Sequence, residues 1–168
     1  MNLPCIVLRT SRFFPEDDDN KGMRDGFDSD NLKVNELLFR RVDLQDIVSA
    51  HVLAMEKAAK LGFDRFIISA PTPFRRQDVA DLGRDTAATV KRYVPEFEQE
   101  YLRRGWKMFS SIGRVYDSSR ARNLLGWRPE YTFSRAIREL SNDRDYQSEL
   151  SRKVGVKRYH DQVFSNEP

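Results

Sequence analysis

Leu3-Pro4-Cys5-Ile6-Val7-Leu8 is a short, unbroken apolar run containing two β-branched residues. Strict alternation would mark a strand with one wet face. An unbroken run marks a strand covered on both faces, as in a parallel sheet. Leu37 to Val42 reads as a second strand, and Phe66 to Ala70 (FIISA), stopped by Pro71 and Pro73, as a third. Between them the spacing predicts a helix. Asp43 offers an N-cap, Asp46 places an acid in the first turn, Ile47, Ala50, His51, Ala54 and Met55 recur at helical intervals, and Gly62 ends it. This order is that of an α/β protein.

Further along, a polar stretch from Ser11 to Asn31 holds Pro15, Gly22, Gly26 and the acid run Asp17-Asp18-Asp19, and reads as a long loop. Gln77 to about Tyr93 reads as one helix, with Val79, Leu82 and Val90 on one side and Pro95 closing it. Phe97 to Trp106 reads as a short helix, and Met108 to Tyr116 as a candidate strand. Ser118 caps a helix that stops at Gly126, and Thr132 or Phe133 opens another through Leu140. Residues 1–141 form one expected domain, and 142–168 a polar, loosely attached tail. There is no internal repeat.

The chain carries 33% charged residues but a net charge of only +3, because Arg and Lys are interleaved with Asp and Glu. A nucleic-acid binder would gather its cations into a stripe, so no nucleic-acid partner is expected. The single cysteine, Cys5, excludes a disulfide framework or a multi-cysteine metal site, and its place in the apolar run predicts a buried, inert thiol. No apolar run approaches the roughly 20 residues that span a bilayer. Met1 to Thr10 is too short for a signal peptide, so the expectation is a cytoplasmic protein without a membrane partner.

Three segments together carry a resemblance. The first is Leu3-Pro4-Cys5-Ile6-Val7-Leu8-Arg9-Thr10-Ser11-Arg12, the second Arg41-Val42-Asp43-Leu44-Gln45-Asp46-Ile47-Val48-Ser49-Ala50-His51. The third is Val115-Tyr116-Asp117-Ser118-Ser119-Arg120-Ala121-Arg122-Asn123-Leu124-Leu125-Gly126-Trp127-Arg128-Pro129. In this order and spacing the chain resembles the carboxyl-terminal, substrate-binding part of the extended short-chain dehydrogenase/reductases, the NAD-dependent epimerase/dehydratase family. The resemblance covers about Leu3 to Leu140. It implies the C-terminal portion of a Rossmann-type fold, with a few short strands and a small, mostly helical substrate lobe.

The resemblance also implies a reaction in which NAD or NADP takes a hydride from a nucleotide sugar and returns it. The family holds the dinucleotide on a glycine-rich turn and moves the proton with a Tyr and a Lys four positions later. These 168 residues contain neither, since Gly22 and Gly26 lie in an acidic stretch and no tyrosine is followed by Lys at that spacing. The expectation is therefore no catalytic residue, no cofactor-binding residue and no cofactor held by this chain alone. A small-molecule substrate would be engaged only once a Rossmann half completes the site. The substrate-binding residues that the resemblance implies are Ser11, Arg12, Arg41, Lys107 and Arg114. Arg12 stands where the family often has Asn, and Phe14 rather than Gly precedes Pro15.

Each candidate has a plainer reading. Arg12, just past a strand end, is either an anion contact or a surface arginine paired with Glu16 or Asp17. Asp17 to Asp19 is a carboxylate cluster of the kind hard cations favour, but reads better as solvated charge, so no metal site is expected. His51 reads as a satisfied, half-buried histidine, and His160 has no role. Trp106, Phe109 and Tyr116 read as core rather than as stacking platforms. Three functions remain open: a split or truncated epimerase/dehydratase, inactive alone; a non-catalytic binding module derived from that fold; and a gene-model fragment. Met1 directly before a core strand favours truncation, and self-association through that strand is the expected way to cover it.

Overall fold

A computed structural model describes residues 3–14, 16–18 and 20–155 of the chain. Strand β1 (Cys5–Thr10) pairs in parallel with β4 (Phe63–Ile68), setting Leu8 against Phe66 and Thr10 against Ile68. Helix α3 (Leu44–Leu61) lies in sequence between them and packs on both. A second parallel pair joins β2 (Arg12–Phe13) to β3 (Arg41–Val42). The rest is helical: α1 (Lys21–Gly26), α2 (Ser29–Glu36), a 3-10 turn at Arg76–Asp78, α4 (Val79–Arg84), α5 (Thr86–Lys91), α6 (Phe97–Arg104), α7 (Ser119–Leu124), α8 (Phe133–Ser141) and α9 (Glu149–Val154). The fold is α/β, with a few short parallel strands and a mostly helical remainder.

Two cores hold these elements. In one, Ile6, Leu8, Phe66 and Ile68 meet Ile47 and Ala50 of α3 together with Ala121, Leu125 and Trp127. Gly126 takes φ 66°, which lets the chain turn back after α7 and drive Trp127 inward, where its Nε1–H donates to Asp46 O and Ser49 Oγ. The larger core packs Phe14, Leu32, Leu37 and Leu38 against Phe97, Tyr101, Phe133 and Ile137.

The expected α3 forms between its predicted caps, and Asp43 accepts from Gln45 N at 2.8 Å. The helices from Phe97, from Ser119 and after Thr132 also form. Several expectations are corrected. The 11–31 stretch is not one loop, because Asn20 and Asp28 cap two helices within it. Leu37 to Arg40 is a hydrogen-bonded turn off α2, leaving only Arg41–Val42 as strand. The 77–93 helix breaks at Asp85, whose extended backbone and side-chain bond to Ala88 N start a new helix. Met108 to Tyr116 is not a strand.

Among the described residues, β1 is covered on one face only. Cys5 and Val7 point away from α3 and are exposed, so the thiol is not buried. The described part of the tail is docked rather than loose. Tyr146 is buried and donates to Asp30 Oδ1, while Ser148 N and Ser151 Oγ donate to Asp43 Oδ2, each at 3.0 Å. The end of the expected tail, with Tyr159 and His160, lies outside the described residues.

The amino end of α3 is a junction. Both oxygens of buried Asp46 accept from backbone, Oδ1 from Glu130 N at 2.9 Å and Oδ2 from Tyr131 N at 3.0 Å. Burial pushes this carboxyl up to about 6, against the pull of those two N–H groups. A raised folded pKa means that the group's contribution is fully present below its unfolded value and is lost as pH rises through about 6. Two pH units correspond to roughly 3 kcal/mol. We predict that wild type gains on the order of 2–3 kcal/mol relative to Asp46→Asn between pH 7 and pH 4. Urea denaturation of both proteins across that range measures this; parallel stability profiles would contradict it.

Candidate functional site

β1 ends at Thr10, and Ser11 N donates to Ile68 O at 2.9 Å, so the chain leaves the sheet just as β2 begins. Over this strand end opens a cleft of about 380 Å³, lined by Arg9, Ser11, Arg12, Arg40 and Tyr116 among others. A smaller hollow of about 180 Å³ shares Arg40 and Tyr116 and adds Phe39 and Arg114. Tyr116 N donates to Phe39 O at 3.1 Å, which pins the 114–116 segment beside the cleft. The carboxyl ends of parallel strands are where open α/β sheets bind ligands.

Beneath the cleft lies a buried charge cluster. Glu36, at the end of α2, is fully buried and meets Arg12 at 2.8 Å, Arg40 at 2.8 Å and Arg41 at 2.6 Å. Asp18, 1% exposed, meets Arg12 at 2.6 Å and Arg40 at 2.7 Å. Among the described residues, three guanidiniums and two carboxylates meet in this cluster. Burial raises the Glu36 carboxyl despite its three arginines. Burial also pushes Asp18 upward, but the Asn20 N–H, the hydrogen bond shared with Glu36 and the Arg12 guanidinium outweigh it and hold Asp18 well below the usual carboxylate range.

The structure sorts the predicted substrate residues. Ser11 and Arg12 line the cleft, and Arg114 lines the adjoining hollow. Ser11 is 6% exposed and its Oγ has no hydrogen-bond partner among the described residues. Arg12 is paired as the plainer reading expected, but with Asp18 and Glu36 instead of Glu16 or Asp17. Arg41 does not line the cleft: it is fully buried, and its guanidinium also donates to Phe13 O and Glu16 O. Lys107 lies away from the cleft, with its Nζ over the Phe27 ring at 4.7 Å.

The acid run is not solvated throughout, since Asp18 is buried and Asp17 pairs with Lys33 at 3.1 Å. His51 Nδ1 sits 2.9 Å from Ile47 O, while its ring is exposed. Phe109 is core, whereas Tyr116 is half-buried and faces the cleft. Arg9, Arg40 and Tyr116 were not among the substrate residues read from the sequence. The available signal was their place beside strand ends: Arg9 alternates with Val7 in β1, and Arg40 adjoins β3. What this lining offers is positive charge and hydroxyls. It suits an anion, and among the described residues its lining includes no carboxylate or imidazole.

A scan against family models finds no match for the chain, and a search of curated proteins finds none.

Removing one partner of a buried ion pair leaves the other uncompensated at about 3–5 kcal/mol. Glu36→Gln is therefore predicted to destabilise the protein by at least about 3 kcal/mol, since it strands fully buried Arg41. Arg114→Ala, at an exposed position, is predicted to change stability by less than about 0.5 kcal/mol. Denaturant midpoints of the two variants test the contrast.

Proposed function

We propose that this chain is the substrate-facing part of an NAD- or NADP-dependent nucleotide-sugar epimerase or dehydratase, with a Rossmann-type sheet completed by a dinucleotide-binding half supplied from elsewhere. The observation that carries the reading is the cationic cleft at the carboxyl end of β1, set in a parallel strand–helix–strand unit. A nucleotide sugar brings a diphosphate, and Arg9, Arg40 and Arg114 with the Ser11 hydroxyl offer it charge and a hydrogen bond. On this reading the chain alone, without a glycine-rich turn or a Tyr with Lys four positions later, binds without turning over. The resemblance carried by the strand after Leu3, the α3 start and the Gly126–Trp127 turn supports the same reading.

On this reading the protein works in the cytoplasm, with a small-molecule substrate and no nucleic-acid partner. Among the described residues no helix is long and apolar enough to cross a membrane. A second reading, a binding module that keeps the cleft without the chemistry, is favoured by the docked tail. With α9 held on Asp43, the described part of the tail is folded onto the domain.

Calorimetry of the purified chain separates the cleft from the cofactor. Expected is binding of UDP-glucose that weakens about tenfold in Arg40→Ala, a loss of roughly 1.4 kcal/mol, and no micromolar binding of NAD. Micromolar NAD binding, or sugar turnover by chain free of host enzymes, would sink the reading. Sedimentation tests association through the backbone edge of β1, as distinct from the face that carries Cys5 and Val7. Dimers that dissociate when a proline replaces Val7 support it, and a monomer at high concentration with strongly protected Cys5–Leu8 amides contradicts it.

A further inference from the structure

The alternation that turns Ile6, Leu8, Phe66 and Ile68 toward α3 turns Cys5, Val7, Arg9, Phe63, Arg65 and Ile67 the other way. No described element covers this outer face, on which Val7 is 39%, Ile67 37% and Phe63 71% exposed. A groove of about 540 Å³ is lined by Phe63, Ile67, Arg9 and Arg65 of this face together with Asp64, Phe66, Asp117 and Arg120. Arg120 is neutralised by Asp64 at 2.6 Å, and the other acid in the groove, Asp117, accepts from Ser119 N. The guanidiniums of Arg9 and Arg65 have no ion pair among the described residues. The register sets Cys5 beside Phe63, Val7 beside Arg65 and Ile67 beside Arg9, so apolar and cationic positions alternate over the face, and Arg9 and Arg65 give it positive charge.

We propose that this outer face is the docking site for one amphipathic helix whose apolar stripe is flanked by Asp or Glu. Two strands about 5 Å apart give a strip about as wide as a helix, whose diameter with side chains is about 10 Å. Apolar residues at helical spacing cover Val7, Ile67 and Phe63, and acids on the helix flank meet Arg9 and Arg65. A second copy laid face to face would set these arginines near their own kind, and like charges across an interface are repelled. The inference stands on this surface and holds whether or not the cleft takes a nucleotide sugar.

Cys5, the chain's single cysteine, is exposed on this face and reports its cover. The probe is a synthetic helix of about five turns with a Leu stripe flanked by Glu, and a control peptide with Lys in place of Glu. The Glu peptide is expected to slow alkylation of Cys5 at least about tenfold, corresponding to occupancy of about 90%, while the Lys peptide leaves it unchanged. Arg65→Glu is expected to remove that protection, and it leaves the cleft intact because Arg65 is not in its lining. UDP-glucose titration of Arg65→Glu then reads the two surfaces separately. Equal protection by both peptides, or by neither, overturns the proposal. So does protection of Cys5 without peptide that grows with protein concentration, which would assign the face to a second copy.

Discussion

Glu36 has no contact with solvent, and a lone carboxylate in that position would cost several kcal/mol in lost hydration. Three guanidiniums from two places in the chain offset that cost: Arg12 from β2, and the adjacent Arg40 and Arg41 at the start of β3. The pairing is what joins the two parts of the fold. It fixes the end of α2, which belongs to the helical core, against the short β2–β3 pair that follows the end of β1. With Asp18 added, five charged side chains among the described residues converge where β1 ends, directly below the cleft.

Such a cluster is costly compared with a well-packed apolar one of similar size, so it is weak as a source of stability. Its value lies in position. Arg12 and Arg40 are each held by two carboxylates, so their guanidiniums are fixed before any ligand arrives. An anion entering beside Ser11 would meet donors already in place, which lowers the ordering cost of binding. We read the cluster as the support of a binding cleft on this basis.

The parts of the fold that could be read in advance are those decided within a few residues. Asp43, Thr132, Gly62 and Gly126 each act through local backbone, and each sits where the sequence put it. What could not be read depends on distant partners. Asp18 looks like solvated charge until Arg12 and Arg40 are brought beside it. Asp46 looks like a first-turn acid until the backbone of Glu130 and Tyr131 reaches it. Arg41 looks as available as Arg40, because burial on the two sides of so short a strand is a tertiary matter. The LPCIVL run misled in the other direction: its composition suits cover on both faces, and the structure covers one.

The central claim is that the cleft over the end of β1 is the ligand site of this α/β domain. The most direct measurement is a map of backbone amide shifts during titration with inorganic pyrophosphate, the charged part of the proposed ligand. The account predicts saturable shifts concentrated at Thr10 to Arg12, Arg40 and Arg114 to Tyr116, with Lys107 unmoved. Shifts scattered over the surface arginines, or centred on Lys107, would contradict it.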